Sequence, residues 1–138
     1  MGATVKRAGA AARPYRHEQK YIISAGEHAL LSRRLQMTMA QDAYAAQNGG
    51  EYHIRSLYFD DPFDTAIRQK LDGIEVRDKI RIRIYNGSDR AIKLERKHKS
   101  GPYIQKSSLL LSRQECDALL GGDYRFLLQR PEPFAGQM

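Results

Sequence analysis

Polar and apolar residues alternate along two neighbouring segments in the middle of the chain, and this alternation predicts two β-strands. In Val76–Tyr85, three isoleucines alternate with basic residues. In Ala91–Lys99, Ile and Leu alternate with Lys and Glu before the pattern becomes fully polar. A period of two is typical of a strand, because successive side chains point to opposite faces. Asn86-Gly87 lies between the segments and predicts a tight turn, so we expect an antiparallel hairpin.

Three further segments also predict strands, the first of which ends in aromatic and β-branched residues. They are Arg16–Ile23, Tyr52–Phe59 and Tyr103–Leu111. The last segment follows a Ser-Gly-Pro break at 100–102, so it is either a fifth strand or a continuation of the fourth strand after a bend.

Helix-start signals lie between these strands and after the last of them. Ser24 precedes a glutamate by three residues, as in a capping box, and predicts a helix over about 26–40. Its apolar residues share one face and are Leu30, Leu31, Leu35 and Met39. Residues 47–50, before the second strand, are expected to form a loop. After that strand, Asp61-Pro62 predicts a short helix to about Leu71. A second capping box, at Ser112, predicts a helix that ends at Gly121-Gly122. The predicted class is therefore α+β, an antiparallel sheet with flanking short helices.

The length of 138 residues suits one domain, and 41% hydrophobic residues allow a small core of its own. We expect residues 1–13, which are small and basic, to be a disordered tail. The folded domain is expected to span 14–130, and 131–138 to be a C-terminal loop. The chain lacks the roughly 18-residue apolar run of a membrane-spanning helix and the apolar core of a secretory signal, so the expected location is the cytoplasm.

The basic charge is concentrated in one segment. The whole chain has a formal net charge of +7, and residues 77–106 alone account for that excess. The remainder carries equal numbers of basic and acidic residues. An excess of positive charge confined to one segment indicates an anionic ligand.

Strand alternation gathers this charge on one face. On the third and fourth strands, the residues that share this face are Arg77, Lys79, Arg81, Arg83, Lys93, Glu95, Lys97 and Lys99. Antiparallel pairing would make the two basic faces coincide, although neighbouring cations repel one another. The ordinary alternative is a solvated sheet face. We favour a concave sheet that binds an extended polyanion, in which Arg clamps phosphate and Lys acts as a mobile charge.

Two carboxylates lie among these cations. On the first predicted strand, Arg16, Glu18 and Lys20 share one face, and Glu95 lies on the fourth strand. A carboxylate in an anion site either pairs structurally or holds a metal. Mg²⁺ or Mn²⁺ commonly binds through one or two carboxylates together with substrate phosphates, so we expect Glu18 and Glu95 to be metal ligands.

Several other chemistries are disfavoured. The single cysteine, Cys116, excludes a disulfide framework within the chain and is interpreted as a core residue. The chain has no Walker-type phosphate loop and no HExxH spacing. Single-strand nucleic-acid binders add aromatic platforms for the bases, whereas the basic faces offer only Tyr85 and Tyr103. Tyr58-Phe59 is interpreted as core. Nucleic acid is thus the less favoured polyanion.

Four segments together resemble the VTC-type polyphosphate polymerase domain, a relative of the triphosphate tunnel metalloenzymes (the CYTH superfamily). In chain order they read RHEQKYII, RSLYFDDPFDTA, KIRIRIYNG and IKLERKHKSGPYIQKSS. The resemblance covers roughly residues 15–112. It implies an antiparallel eight-stranded tunnel lined by Arg, Lys and Glu. Members of the polymerase type transfer the terminal phosphate of ATP onto a growing polyphosphate chain, with a divalent metal that is often manganese.

The resemblance also implies roles for single residues. The positions that match the family's phosphate-binding cations are Lys20, Arg81, Arg83, Lys97 and Lys106. Of these, Arg81, Arg83 and Lys97 are expected to be catalytic, and the basic face adds Lys93 to the phosphate-binding set. Glu18 matches the acid of the first-strand motif, here in the variant Arg16-x-Glu18-x-Lys20, and Glu95 matches the acid of the ERK element.

A complete domain of this family is much longer, so the resemblance is to its N-terminal half. We expect a partial tunnel that a second chain, for example in a homodimer, would complete. The expected ligands are ATP, polyphosphate or another triphosphate. Two alternatives stay open: a triphosphate hydrolase of the same fold, and a non-catalytic module that binds polyphosphate or nucleic acid.

Overall fold

The computed structural model describes residues 14–131, and within them the chain forms one antiparallel sheet with helices. The expected disordered tail at 1–13, and the expected loop apart from residue 131, lie outside the described residues. The strands are β1 (Arg16–His17), β2 (Ile54–Phe59), β3 (Val76–Tyr85), β4 (Ser88–Ser100) and β5 (Tyr103–Leu111). The helices are α1 (Ala25–Gln36), α2 (Ala43–Gln47), α3 (Thr65–Leu71), α4 (Arg113–Leu120) and α5 (Arg125–Leu128). The spatial order of the strands is β1-β5-β4-β3-β2.

The three central strands, β3, β4 and β5, are the longest, and the predicted turns join them into two hairpins. Asn86 and Gly87 both have positive φ angles, 51° and 66°, as a two-residue hairpin turn requires. β5 is a separate strand antiparallel to β4, which decides between the two alternatives left open for this segment. Gly101, with φ 56°, makes the turn between them. β4 begins at Ser88, three residues before the predicted start.

The first strand is much shorter than expected. The prediction of a strand over Arg16–Ile23 is wrong beyond His17, and Glu18 and Lys20 therefore lie outside it. The register gives the reason, because Arg16 pairs with Ile104 and His17 with Tyr103. Tyr103 is the first residue of β5, so a longer β1 would run past the end of its partner and have no backbone to pair with.

The core lies on one side of the sheet, beneath the C-terminal helices. Ile82, Ile92, Leu94, Leu109 and Leu111 are buried there, and they pack with buried residues of α4 and α5. The predicted capping box of α4 is present, since the Ser112 hydroxyl accepts from the Glu115 backbone N–H and the Glu115 carboxylate accepts from that of Ser112. The prediction that Cys116 is a core residue is confirmed, because it is only 8% exposed.

The N-terminal helices differ more from the expectation. The predicted helix over 26–40 is present with its capping box but ends at Gln36. α1 has no buried residue, so its predicted apolar face is not covered by the described part of the chain. α2 departs from the expectation, because its last residue, Gln47, lies in the segment expected to be a loop. α3 begins at Thr65 rather than at Asp61-Pro62, because Asp60 and Asp61 accept its first backbone N–H groups.

The sheet is open in the described range, since β1 and β2 form its two edges and do not pair with each other. The α+β class with an antiparallel sheet is therefore confirmed. Closure into a tunnel stays a prediction. No helix among residues 14–131 has the length and apolar character needed to cross a membrane.

Candidate functional site

The register of the β3–β4 hairpin brings the two basic strand faces together, as predicted. Arg81 lies opposite Glu95, Lys79 opposite Lys97, and Arg83 opposite Lys93. Directly opposite residues of an antiparallel pair project from the same face of the sheet. A continuous strip of charged side chains therefore follows the middle of the sheet, on the face opposite the core.

The outer strands extend this strip. Lys106 of β5 lies opposite Lys97. Arg16 of β1 lies opposite Ile104 of β5, which in turn lies opposite Lys99 of β4. We call the resulting surface the cationic face. Its basic residues are Arg16, Arg77, Lys79, Arg81, Arg83, Lys93, Lys97, Lys99 and Lys106. Glu95 lies among them, and the Glu18 carboxylate reaches them from beyond β1. The cationic face thus carries most of the basic residues that the sequence placed in one segment.

Arg81 occupies the centre of the cationic face and is held by two neighbours. Its Nε donates to Glu95 Oε2 at 2.8 Å, and its Nη2 lies 2.7 Å from the same oxygen. Its Nη1 donates to the Tyr58 hydroxyl at 2.9 Å. An arginine has five N–H groups in a fixed fork, so two of them remain for a ligand. Burial disfavours the charged form, yet the bonds to Tyr58 and Glu95 outweigh it and raise the pKa of Arg81.

Tyr58 belongs to this site, contrary to its interpretation as core. It lies opposite Arg81 on β2 and is 57% exposed. The hydrogen bond from Arg81 lowers the pKa of the Tyr58 hydroxyl. Phe59, its neighbour, points to the other face and packs against the core, so that half of the interpretation is confirmed.

Arg83 is the second arginine of the centre and shares the same carboxylate. Its Nε lies 3.9 Å from Glu95 Oε2 and donates to the Ser56 hydroxyl at 3.4 Å. Glu95 therefore lies between two arginines and offsets part of their mutual repulsion. Lys93 completes this end, with its Nζ 5.2 Å from the centre of the Tyr85 ring.

Glu18 forms a second carboxylate-centred cluster. Its Oε1 accepts from Lys97 Nζ at 2.9 Å and lies 3.9 Å from Lys20 Nζ. The hydrogen bond from Lys97 is the main cause of a lowered pKa of Glu18. Lys20 is an outlying member, since its side chain is 83% exposed. The hydrogen bond between Lys97 and Glu18 links the segment after β1 to the middle of the sheet.

Two lysines of the cationic face have a lowered pKa, first because they are partly buried and second because like charges surround them. Burial, followed by repulsion from neighbours such as Lys70 and Arg77, lowers the pKa of Lys79. Burial, followed by repulsion from Arg16 and Lys97, lowers the pKa of Lys106. A lowered lysine pKa means that the protonated form is less favourable here than in water. An anion bound on the cationic face would reverse that penalty.

The expected metal ligands fit only a metal that arrives with a phosphate ligand. Residues 14–131 contain no group of three or more His, Cys, Asp or Glu placed to hold a metal ion. Glu18 and Glu95 offer the hard oxygen donors that Mg²⁺ and Mn²⁺ prefer, but each is already paired with cations. They belong to separate clusters. A metal here would therefore take most of its ligands from phosphate and water.

The opposite face of the same strands carries a separate polar cluster. Asp78 accepts from Arg96 through both carboxylate oxygens, at 2.9 and 3.1 Å, and lies 3.0 Å from His98 Nδ1. Burial opposes ionisation of Asp78, but the bonds to Arg96 and His98 prevail and lower its pKa. This cluster bridges β3 and β4 behind the cationic face.

A protein-family model described as VTC domain matches residues 15–136. The match starts just before β1 and includes all the strands and helices of the described part, so it extends past the region of motif resemblance. No curated protein and no solved structure matches the chain. The matched range contains every residue of the cationic face.

Proposed function

Because the chain belongs to the VTC domain family, we propose that its cationic face binds linear phosphate chains, and that the domain transfers the terminal phosphate of ATP to polyphosphate. The family is consistent with a function related to polyphosphate. The observation that carries the proposal is the hairpin register, which places Arg81, Arg83 and Lys97 on one face. There the two arginines lie beside Glu95, and Lys97 pairs with Glu18 from the segment after β1.

Phosphoryl transfer suits a site of this composition. Its transition state spreads charge over the phosphoryl oxygens, so a protein contributes chiefly by positioning and by electrostatic stabilisation. Arg81 is oriented by Glu95 and Tyr58 before any ligand binds. Its two remaining N–H groups, with the mobile ammonium groups of Lys93 and Lys97, would bind successive phosphates. In this scheme no protein nucleophile is required.

A divalent metal, Mn²⁺ or Mg²⁺, is part of the proposal and would be held by Glu18 or Glu95 together with phosphate oxygens. When bound, such a metal would neutralise charge on the phosphate oxygens. The tunnel is also proposed. Further strands would add to the open edges at β1 and β2, because an exposed edge presents unpaired N–H and C=O groups. With ATP as donor, the cytoplasm remains the expected location.

Calorimetric titration of the 138-residue chain with tripolyphosphate, with and without Mn²⁺, tests the proposal. We expect saturable binding that Mn²⁺ changes and that the double variant Arg81→Ala/Arg83→Ala abolishes. The control variant is Arg113→Ala/Arg125→Ala, which removes equal charge from exposed positions on α4 and α5. Single-stranded RNA of equal total charge is the control ligand, and its affinity should fall steeply with salt.

Three results would contradict the proposal. They are unchanged affinity in a folded Arg81/Arg83 variant, an equal loss in the control variant, and no preference for tripolyphosphate over RNA. If binding is confirmed, product analysis with ATP separates the activities. Long phosphate chains indicate a polymerase, orthophosphate indicates a hydrolase, and binding without turnover indicates a non-catalytic module.

A further inference from the structure

Three tyrosines converge at one end of the cationic face. Tyr44 of α2 and Tyr85 of β3 have nearly parallel rings, 18° apart, with centres 6.0 Å apart. Tyr52, just before β2, lies 6.3 Å from the first ring and 5.8 Å from the second. We call these three residues the tyrosine cluster. The phosphate-binding proposal makes no use of it.

Backbone and side-chain hydrogen bonds fix the tyrosine cluster in place. Asp42 caps α2 by accepting from the backbone N–H groups of Tyr44 and Ala45. Asn86, in the β3–β4 turn, donates to the Asn48 side chain at 3.0 Å. The Asn86 side chain and backbone also bond to the backbone of His53. These contacts tie α2 to the end of the β2–β3 pair and set the position of the Tyr44 ring.

The tyrosine cluster is continuous with the cationic face. The ammonium group of Lys93 lies 5.2 Å from the centre of the Tyr85 ring. Lys93 also lies directly opposite Arg83 on the neighbouring strand. Tyr85 and Arg81 are four residues apart on one strand face, which corresponds to about 13 Å at the usual rise. That distance is comparable to the separation of base and terminal phosphate in a nucleoside triphosphate.

We propose that the tyrosine cluster binds the nucleobase of a nucleoside triphosphate whose phosphates lie along the cationic face. This inference rests on the proposed function. Tyr44 is 57% exposed, so its ring is accessible to a ligand, whereas Tyr52 and Tyr85 are half-buried and support it. Any base can stack on an aromatic ring, so the site would accept different bases.

The proposal gives the bound nucleotide a direction. The base would lie at the α2 end, beyond Lys93, and the terminal phosphate would point towards Arg81 and Lys97. A single-stranded nucleic acid fits the arrangement less well. Its successive bases need successive platforms along the backbone path, whereas the stacked rings here are grouped at one end of the cationic face.

The test compares ATP with tripolyphosphate in calorimetric titrations of the wild type, Tyr44→Ala and Tyr44→Phe. One stacked base contributes about 1–3 kcal/mol, so Tyr44→Ala should weaken ATP binding roughly 5- to 150-fold. Tripolyphosphate has no base, and its affinity should stay within about twofold. Tyr44→Phe retains the ring and should retain ATP affinity. Tyr124→Ala, an exposed tyrosine of the C-terminal region, is the matched control and should change neither ligand.

A second measurement uses the intrinsic fluorescence of the wild type and of Tyr44→Ala, without an added label. The chain contains no tryptophan, so its intrinsic fluorescence comes from tyrosine. ATP should quench this fluorescence more than tripolyphosphate at equal saturation, and Tyr44→Ala should remove the difference.

The outcomes separate this inference from the proposed function. If the wild type binds tripolyphosphate and Tyr44→Ala leaves ATP affinity unchanged, the base site is wrong and the phosphate site stands. If Tyr44→Ala weakens both ligands equally, the tyrosine cluster has only a structural role. If an oligonucleotide of equal charge binds more tightly than ATP and depends on Tyr44, the cluster belongs to a nucleic-acid surface. If the wild type binds neither triphosphate, both proposals fail.

Discussion

Replacing Glu95 with glutamine tests whether this carboxylate offsets the repulsion between the two central arginines. Its Oε2 lies 2.7 Å from Arg81 Nη2 and 3.9 Å from Arg83 Nε. Glutamine has nearly the same size and still accepts a hydrogen bond from Arg81. The substitution therefore removes a charge while preserving most of the packing.

The expected loss of stability lies between two known limits. Exposed ion pairs contribute about 0.2–1 kcal/mol, whereas breaking a fully buried pair costs about 3–5 kcal/mol. The side chains of Arg81 and Glu95 are 17% and 20% exposed, which lies between these cases. Glu95 also screens Arg81 from Arg83. We therefore expect Glu95→Gln to lower the free energy of unfolding by about 1–3 kcal/mol at low salt.

Urea unfolding followed by circular dichroism measures this loss. Glu51→Gln is the matched control, because it makes the same chemical change at an exposed position before β2 and should stay within about 0.5 kcal/mol of the wild type. Added salt should reduce the effect of Glu95→Gln, since screening acts over about 10 Å at 0.1 M. Tripolyphosphate should stabilise Glu95→Gln more than the wild type, because the ligand supplies the missing negative charge. Equal stability of the two variants at low salt would refute the reasoning.

Two further predictions concern the other face of the sheet. Leu94 is 1% exposed in the core, so Leu94→Ala should lower the free energy of unfolding by about 2–5 kcal/mol. Leu110 is 62% exposed, so the control Leu110→Ala should lower it by less than about 0.5 kcal/mol. Similar losses in urea unfolding would contradict the assigned core. Folding lowers the pKa of Asp78, so its contribution is complete above about pH 4 and is lost as the pH falls through the lower, folded-state pKa. Because its side chain is 41% exposed, that contribution is at most about 1 kcal/mol, and Asp78→Asn should lose less stability than the wild type between pH 6 and pH 3. Parallel acid-unfolding curves for the two proteins would contradict this.

The strands, the turn and the two faces of the central hairpin could be predicted, because local features determine them. Asn86-Gly87 sets the turn, and alternation assigns the isoleucines to one face and the basic residues to the other. The register itself could not be predicted, because the pairing shifts between Tyr85↔Ser88 and Arg83↔Lys93. A ladder continued regularly from the turn would place Ile92, not Glu95, opposite Arg81.

The errors arose where the position of a residue depends on its partner strand. Arg16–Ile23 has the composition of a strand, but composition cannot show that β5 begins at Tyr103 and leaves most of that segment without a partner. Tyr58 is an aromatic residue in a strand with polar residues on both faces, so alternation did not assign its face. Only the pairing with Arg81 places it on the cationic face.

The arrangement of charges favours a chain of phosphates over a single phosphate. Glu95 holds Arg81 and Arg83, whereas Glu18 holds Lys97 and Lys20, so the cationic face contains two carboxylate-centred clusters. Glu95 and Lys97 are two residues apart on β4, which separates the clusters by about 7 Å. A single phosphate can relieve the repulsion in one cluster only. A linear chain of several phosphates can contact both at once, and the second contact then forms without a further loss of translational freedom.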